Sequence, residues 1–111
     1  QTHDLKTAFA ADGADWAELR IDGGMVANDW MAQDLADILA IDVERPDFIE
    51  TTALGAAMLA AVGADLYPSL EAATGMRGGV TRFQPAMPDA DRETRLNGWG
   101  DALSRVLDPS T

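Results

Sequence analysis

The sequence predicts an α/β fold that contains more helix than sheet. Leu19 and Ile21 alternate with charged neighbours, which is the period of a strand with one buried face. Two glycines follow, and from Val26 onward apolar residues recur every three or four positions, as they do along one face of a helix. Strand-like and helix-like segments continue to alternate along the chain, and such alternation is typical of α/β layouts.

The first predicted element is a helix over residues 1–11, ahead of the strand that contains Leu19. Leu5 and Phe9 lie four positions apart and should share one face of this helix. Gly13 can adopt the left-handed conformation that ends helices. Trp16 precedes the strand, and we expect it to cover the edge of the core.

The second helix is predicted over residues 25–40, with its first turn directly after the two glycines. Its predicted apolar stripe comprises Val26, Trp30, Met31, Leu35, Ile38 and Leu39. Trp30 should therefore lie in the core. Gln33, Asp34 and Asp37 fall away from the stripe, so we expect them to face water.

A second strand is predicted over residues 41–45, and Pro46, which has no amide donor, should end it or place it at an edge. The next helix covers residues 50–62, with Thr51 or Thr52 as its N-cap. Its middle is almost entirely Ala, Gly and Leu. Because small residues permit close approach, we expect this helix to be buried on more than one side.

Residues 63–79 are predicted to be irregular, with a short helix near residues 69–73. A third strand follows over residues 80–83 and is closed by Pro85. The glycines at positions 75, 78 and 79 predict a mobile loop before this strand, which we favour over a phosphate grip by Arg77.

The last helix is predicted to begin at Pro88 and to end at Pro109. Its apolar stripe comprises Leu96, Trp99, Leu103, Val106 and Leu107. We expect Trp99 in the core. Asp91 and Arg95 lie four positions apart and should form an ion pair on the exposed face.

The composition excludes several classes of function. The 111 residues suit one domain, and no apolar run approaches the length of a transmembrane helix. Cysteine is absent, which excludes disulfides and thiolate metal sites and makes the cytoplasm the expected location. The net charge of −11 argues against nucleic acid or an anionic membrane as partner. It also argues against a site for several phosphates within this chain alone.

Four short motifs follow one another along the sequence and can be compared with those of known families. They are LRIDGGMVAN at residues 19–28, VERP at residues 43–46 followed by ETTALGAA at residues 50–57, RFQPAM at residues 82–87, and RLNGW at residues 95–99. Together they resemble the C-terminal part of the glycerol kinases, within the FGGY carbohydrate kinase family. Residues 1–4 also resemble the tail of the long helix that precedes these motifs in the family.

The resemblance implies an actin-like, ribonuclease H-like ATPase fold with two domains. Residues 1–111 would be a fragment of the C-terminal, nucleotide-side domain, cut inside a helix. The implied reaction transfers the γ-phosphoryl group of ATP to a polyol hydroxyl with Mg²⁺, and glycerol to glycerol 3-phosphate is the favoured case. The family's catalytic aspartate, polyol-binding residues and phosphate loops lie upstream. No catalytic or metal-binding residue is therefore assigned here, and we expect the chain alone to be inactive.

The resemblance implies a nucleotide-binding role for Gly24, Asn28 and Gly23. Gly24 would bring bare backbone against the nucleotide, and Asn28 would offer an amide, which both donates and accepts, to the edge of adenine. From the residues alone, the glycines could form a plain turn, and Asn28 could satisfy backbone donors in the first helical turn. Asp22 could shape the bend or simply solvate the end of the strand.

A hypothesis from another class is a non-catalytic assembly or regulatory module on an actin-like scaffold, since fold alone does not determine function. For the enzyme, the expected partners are a nucleotide and glycerol or a similar polyol. We also expect a homo-oligomer, because an apolar surface should be exposed where other segments belong. His3 is expected at the surface, and the carboxylates of Asp34, Asp37 and Asp42 on a wet face without a metal.

Overall fold

Five α-helices, three strands and two 3-10 turns follow one another in residues 1–107, the part of the chain that this computed structural model describes. The helices are α1 (Thr2–Ala11), α2 (Asp29–Leu39), α3 (Thr51–Gly63), α4 (Leu70–Ala73) and α5 (Asp89–Leu107). The strands are β1 (Glu18–Arg20), β2 (Asp42–Pro46) and β3 (Val80–Phe83), and the 3-10 turns cover Gly24–Ala27 and Thr74–Arg77. The predicted helix-rich α/β layout is confirmed. The predicted end of α5 at Pro109 lies outside the described residues.

The three strands form one sheet in the order β1-β2-β3. β1 and β2 run parallel with Leu19 opposite Val43, and β3 runs antiparallel to β2 with Phe83 opposite Val43. The parallel pair needs a crossover connection, which the glycine bend and α2 supply. Pro46 is the last residue of β2, so the prediction that it ends this strand is confirmed.

The core lies between one face of the sheet and α2. Leu19, Val43 and Phe83 are paired across the strands and share this face, because strand residues alternate between faces. Val43 is fully buried and Leu39 is almost so. The buried hydrophobic residues of the described chain are Val26, Ala32, Ala36, Leu39, Val43, Met58, Ala61 and Ala73.

The opposite face of the sheet carries a ladder of ion pairs. Arg82 on β3 lies 3.0 Å from Asp42 and 2.9 Å from Glu44, and Arg20 on β1 lies 3.3 Å from Glu44. The hydrogen bond to Asp42 and the charge of Glu44 raise the pKa of Arg82 above its usual range. Asp42, which was expected on a wet face, is thus part of a cross-strand ladder. Exposed ion pairs of this kind contribute little to stability.

The prediction that the polar face of α2 meets water is wrong. Asp37 accepts hydrogen bonds from the Ala86 amide at 2.8 Å and the Met87 amide at 3.2 Å. Asp34 is bonded by Arg95 of α5, so the predicted pairing of Arg95 with Asp91 is also wrong. Both errors have one cause, because α5 and the segment before it pack against this face of α2 from far along the chain.

The prediction of a core position for Trp30 is wrong, since 70% of this residue is exposed. The 3-10 turn ends at Ala27 and Asn28 is extended, with φ −78° and ψ 110°, so α2 starts afresh at Asp29. This break changes which positions point inward, and small residues at 32 and 36 take the buried places. The core position predicted for Trp99 is also wrong, since the described part of α5 has no buried residue. Trp99 is half-buried, and its Nε1 donates to Asp4 Oδ2 at 2.8 Å.

Within residues 1–107, α3 is not buried on more than one side, and its burial as part of a larger protein stays a prediction. Only Met58 and Ala61 of this helix are buried there, and Leu59 is 63% exposed.

The N-cap position of α3 is Glu50, which makes no side-chain capping bond. The hydroxyl of Thr51 bonds to Asp22 instead of capping its own helix.

Three further local features bear on the predicted elements. Gly13 follows α1 with φ 85°, which confirms the predicted left-handed glycine after this helix. Trp16 lies against the ring of Phe9 of α1 with the centroids 5.5 Å apart, and its expected cover of the core edge stays a prediction. Ser69 caps α4 by accepting from the Ala72 amide at 3.1 Å. In a search limited to the described helices, none is long and apolar enough to cross a membrane.

Candidate nucleotide-side site at the glycine bend

The bend between β1 and α2 is shaped by Gly23. This residue has φ 92° and ψ 168°, a region open essentially to glycine alone. Its amide donates to the Ile49 carbonyl at 3.0 Å, and its carbonyl accepts from the Val26 amide at 3.2 Å. Gly23 therefore fixes the direction of the chain, with its own polar groups already bonded inside the protein.

Gly24 differs from Gly23, because its backbone conformation does not require glycine. It has no positive φ and it is exposed. As at Gly23, a Cβ built on it would meet nothing within 4 Å. A flat group could therefore approach the peptide of Gly24 without meeting a side chain on that residue.

Asn28 is the N-cap of α2. Its Oδ1 accepts from the Met31 amide at 3.3 Å, which is the first-turn role that the residues alone allowed. The side chain is exposed, and the capping bond engages only its oxygen. The two N–H bonds of Nδ2 are left out of the cap, so Asn28 can still donate to a ligand.

Asp22 shapes the bend. The hydroxyl of Thr51 donates to Asp22 Oδ2 at 2.6 Å and so ties the end of β1 to the first residue of α3. The Gly23 amide bonds to the segment just before α3 as well. The bend is therefore fastened on its α3 side by two bonds.

Arg45 of β2 fastens the other side of the bend, and the sequence analysis missed it. Its Nη1 donates to the Val26 carbonyl at 2.9 Å and lies 2.7 Å from Asp29 Oδ1. Its Cζ lies 5.1 Å from the centroid of the Phe83 ring. The available signal was alternation, because Arg45 lies two residues after Val43 and so faces the core side of the strand.

A groove of about 790 Å³ lies next to the bend but does not include its open part. Asp22 and Thr51 line this groove, together with Leu54 and Met58 of α3. Gly24 and Asn28 are not among its lining residues. Since the groove lacks both predicted contact residues, we base the site on the open backbone at Gly24 and not on groove volume.

The described residues at and around the bend are poorly suited to bind a metal ion. Within residues 1–107, no group of three or more His, Asp or Glu side chains is placed to hold one. The carboxylates nearest to the bend are already bonded, Asp22 to Thr51 and Asp29 to Arg45. The residues described here therefore offer no ligand set for Mg²⁺.

Comparison with known proteins finds a matching family and similar full-length proteins. The C-terminal domain of the FGGY family of carbohydrate kinases matches residues 1–64. The glycerol kinase of Alcanivorax borkumensis is 47% identical over 111 residues, which are 99% of this chain and 22% of that protein. The glycerol kinase of Rhodospirillum centenum is 52% identical over 106 residues, which are 96% of this chain and 21% of that protein.

The fold has a counterpart among solved structures. The crystal structure of Plasmodium falciparum glycerol kinase with ADP matches with a TM-score of 0.71 and 28% sequence identity, over 95% of this chain and 21% of that one. The chain thus spans about a fifth of the length of the relatives it matches. These matches confirm the predicted resemblance and the predicted actin-like α/β fold. The chain belongs to the FGGY family of carbohydrate kinases, and its residues 1–64 match the C-terminal domain of that family.

Proposed function

We propose that this chain is the nucleotide-side part of a glycerol kinase, which transfers the γ-phosphoryl group of ATP to glycerol. The family assignment, the names of the relatives and the ADP in the Plasmodium structure support this proposal. The proposed binding site rests on the exposed backbone at Gly24 and on the exposed side chain of Asn28, which directly follows the same 3-10 turn. The non-catalytic module remains the alternative, and no contact in the described residues favours it.

The proposed contacts follow from the groups that remain available. The purine lies against the Gly24 peptide, where no Cβ stands in the way. Asn28 donates from Nδ2 to a ring nitrogen of adenine, because its Oδ1 is committed to the Met31 amide. Gly23 makes no contact of this kind and instead sets the direction of the bend.

The charge of the chain fits the uncharged end of ATP. Phosphoryl transfer depends on positioning and on neutralising charge around the γ-phosphate. A chain with net charge −11, and with no metal-ligand cluster in its described part, is poorly suited to that task. We therefore place the phosphate, Mg²⁺ and glycerol contacts on other parts of the enzyme, and we assign no catalytic residue here.

The apolar surface of α3 supports the proposal that this chain works as part of a larger body. Leu59 and Leu66, on and just after α3, are 63% and 73% exposed. Large exposed apolar patches mark contact surfaces. The expected homo-oligomer stays a prediction, and analytical ultracentrifugation of the complete enzyme would test it.

The test of the nucleotide site replaces Asn28 in the complete enzyme. Asn28→Ala removes both the capping oxygen and the Nδ2 donors, whereas Asn28→Ser keeps a good capping group and removes only the amide donors. We expect both variants to raise the KM for ATP about tenfold, the equivalent of one hydrogen bond. The KM for glycerol should stay within about twofold.

Two results would contradict the proposal. One is an unchanged KM for ATP in Asn28→Ser, because that variant isolates the amide donors from the cap. The other is glycerol phosphorylation by residues 1–111 alone, which would place catalytic groups inside this chain. Lack of kinase activity in the complete protein would favour the non-catalytic module.

A further inference from the structure

We infer that Arg45 is a positioning residue that holds the nucleotide-contacting segment, residues 24–28, in its binding geometry. The inference rests on the proposed function, since it assigns a task to a residue behind the same site. Arg45 itself touches neither Gly24 nor Asn28 among the contacts described above. It acts on the chain on either side of Asn28.

The contacts of Arg45 bracket Asn28. The guanidinium donates to the carbonyl of Val26, two residues before Asn28, and pairs with the carboxylate of Asp29, the next residue. A single nitrogen, Nη1, serves both partners, at 2.9 Å and 2.7 Å. The 3-10 turn and the first residue of α2 are therefore held by one group, and the extended residue between them has little freedom to shift.

The guanidinium is itself held firmly. Arg45 lies on the central strand of the sheet, opposite Thr81 of β3, and its side chain is only 15% exposed. Its planar group lies over the Phe83 ring. Burial of a charged group to this extent costs free energy unless the group is well paired. The Arg45 guanidinium should therefore strongly prefer the one position in which it meets both partners. A lysine cannot reproduce this arrangement, because an ammonium has neither the planar stack nor the fork of donors.

Apart from the backbone bonds of its own turn, few buried side chains hold this segment. Met25 in the 3-10 turn is 80% exposed, Gly24 is exposed, and of this turn only Val26 is buried. Segments with few buried contacts open locally at low free-energy cost. A loosened segment must be ordered again when the nucleotide binds, and this ordering costs free energy. Loss of the Arg45 contacts should therefore weaken nucleotide binding without removing any nucleotide contact.

Arg92 offers a matched control. Its side chain is 14% exposed, it pairs with Asp89, and it donates to the carbonyls of Asp37 and Met87. It therefore resembles Arg45 in burial and in bonding, but it fastens α5 and not the bend. An arginine that matters only for stability should behave like Arg92.

The test compares Arg45→Met with Arg92→Met in the complete enzyme. We expect both variants to lower Tm, but only Arg45→Met to raise the KM for ATP, by about tenfold or more. The KM for glycerol should stay within about twofold in both. Arg45→Lys should recover part of the loss. The side chain of Asp29 is 77% exposed, so the protein should tolerate its replacement. We expect Asp29→Asn to raise the KM for ATP by roughly threefold.

Asn28→Ser in the same series separates the two proposals. If Asn28→Ser weakens ATP binding while Arg45→Met and Asp29→Asn leave it unchanged, the nucleotide site stands and the role of Arg45 is overturned. An equal rise in KM for Arg45→Met and Arg92→Met also overturns it, because the effect would then follow stability alone. If Asn28→Ser has no effect, the proposed site fails and the role of Arg45 fails with it. Should Arg45→Met not fold, Asp29→Asn decides alone.

Discussion

Two connecting segments lie against α2, and a comparison of them shows how similar arginine contacts can serve two purposes. The first is the bend at residues 22–28, between β1 and α2, and the second is the corner at residues 84–88, between β3 and α5. Each is fastened by one arginine of similar exposure, Arg45 for the bend and Arg92 for the corner. They differ in what their backbone leaves uncovered.

The corner is closed by bonds to the protein itself. Asp37 accepts from the amides of Ala86 and Met87, Gln33 donates to the Gln84 carbonyl at 2.8 Å, and Arg92 donates to the Met87 carbonyl at 3.1 Å. The bend is bonded at its margins, but Gly24 in its middle is open. The corner is therefore a joint within the protein, whereas the bend has an open surface at Gly24, where we propose that a ligand binds.

The largest expected effect on stability comes from removing the contacts that hold the corner. Asp37→Ala removes one carboxylate that accepts from two backbone amides and from Gln33, so we expect a loss of about 3 kcal/mol in the free energy of unfolding. The KM for ATP should not change. Urea denaturation with parallel kinetics measures both quantities, and a changed KM at unchanged stability would mean that the corner also serves the site.

The two glycines of the bend give the next effect. Gly23→Ala should cost about 1–3 kcal/mol, because alanine is strained at φ 92°. Gly24→Ala should cost less than about 1 kcal/mol, since its Cβ meets nothing within 4 Å, but it should weaken ATP binding. Thermal unfolding and nucleotide titration of both variants separate the two roles. Equal destabilisation by both, or unaltered ATP affinity in Gly24→Ala, would remove the distinction drawn here.

A smaller effect depends on pH. Partial burial raises the pKa of Asp37, but hydrogen bonds from the Ala86 amide, the Gln33 side chain and the Met87 amide, helped by Arg92, outweigh it and hold the pKa below its ordinary 3.8. The folded pKa is therefore below the unfolded one, so this stabilisation is present above the ordinary value and is lost as the pH falls through the folded pKa.

The measurement compares the protein with Asp37→Asn in urea titrations between neutral and strongly acid pH. The stability difference between the two should shrink once the pH falls below the ordinary value of 3.8. A difference that stays constant over this range would show that the charge of Asp37 contributes nothing to the corner.

The sequence predicted the order and type of the elements well, because hydrophobic period and turn residues are local properties. Trp30 was misplaced because the extended Asn28 interrupts the helical period in a way that composition does not reveal. Asp37 was assigned to solvent because its partners come about 50 residues later in the chain. Arg45 was missed because a charged residue in a short strand usually faces water.

The candidate site was only partly accessible to sequence reasoning. The resemblance named Gly24, Asn28 and Gly23, but it could not distinguish the conformational task of Gly23 from the open surface at Gly24. That distinction depends on backbone angles and on exposure, which only a structure shows. The capping bond of Asn28 likewise narrows its proposed contact to donation from Nδ2.

The central claim is that the open part of the bend receives the adenine of ATP, and a crystal structure of the complete enzyme with ADP tests it most directly. We predict the purine against the Gly24 peptide, with a ring nitrogen roughly 3 Å from Asn28 Nδ2. An adenine bound elsewhere, with Gly24 and Asn28 uncovered or occupied by another segment of the enzyme, would contradict the account.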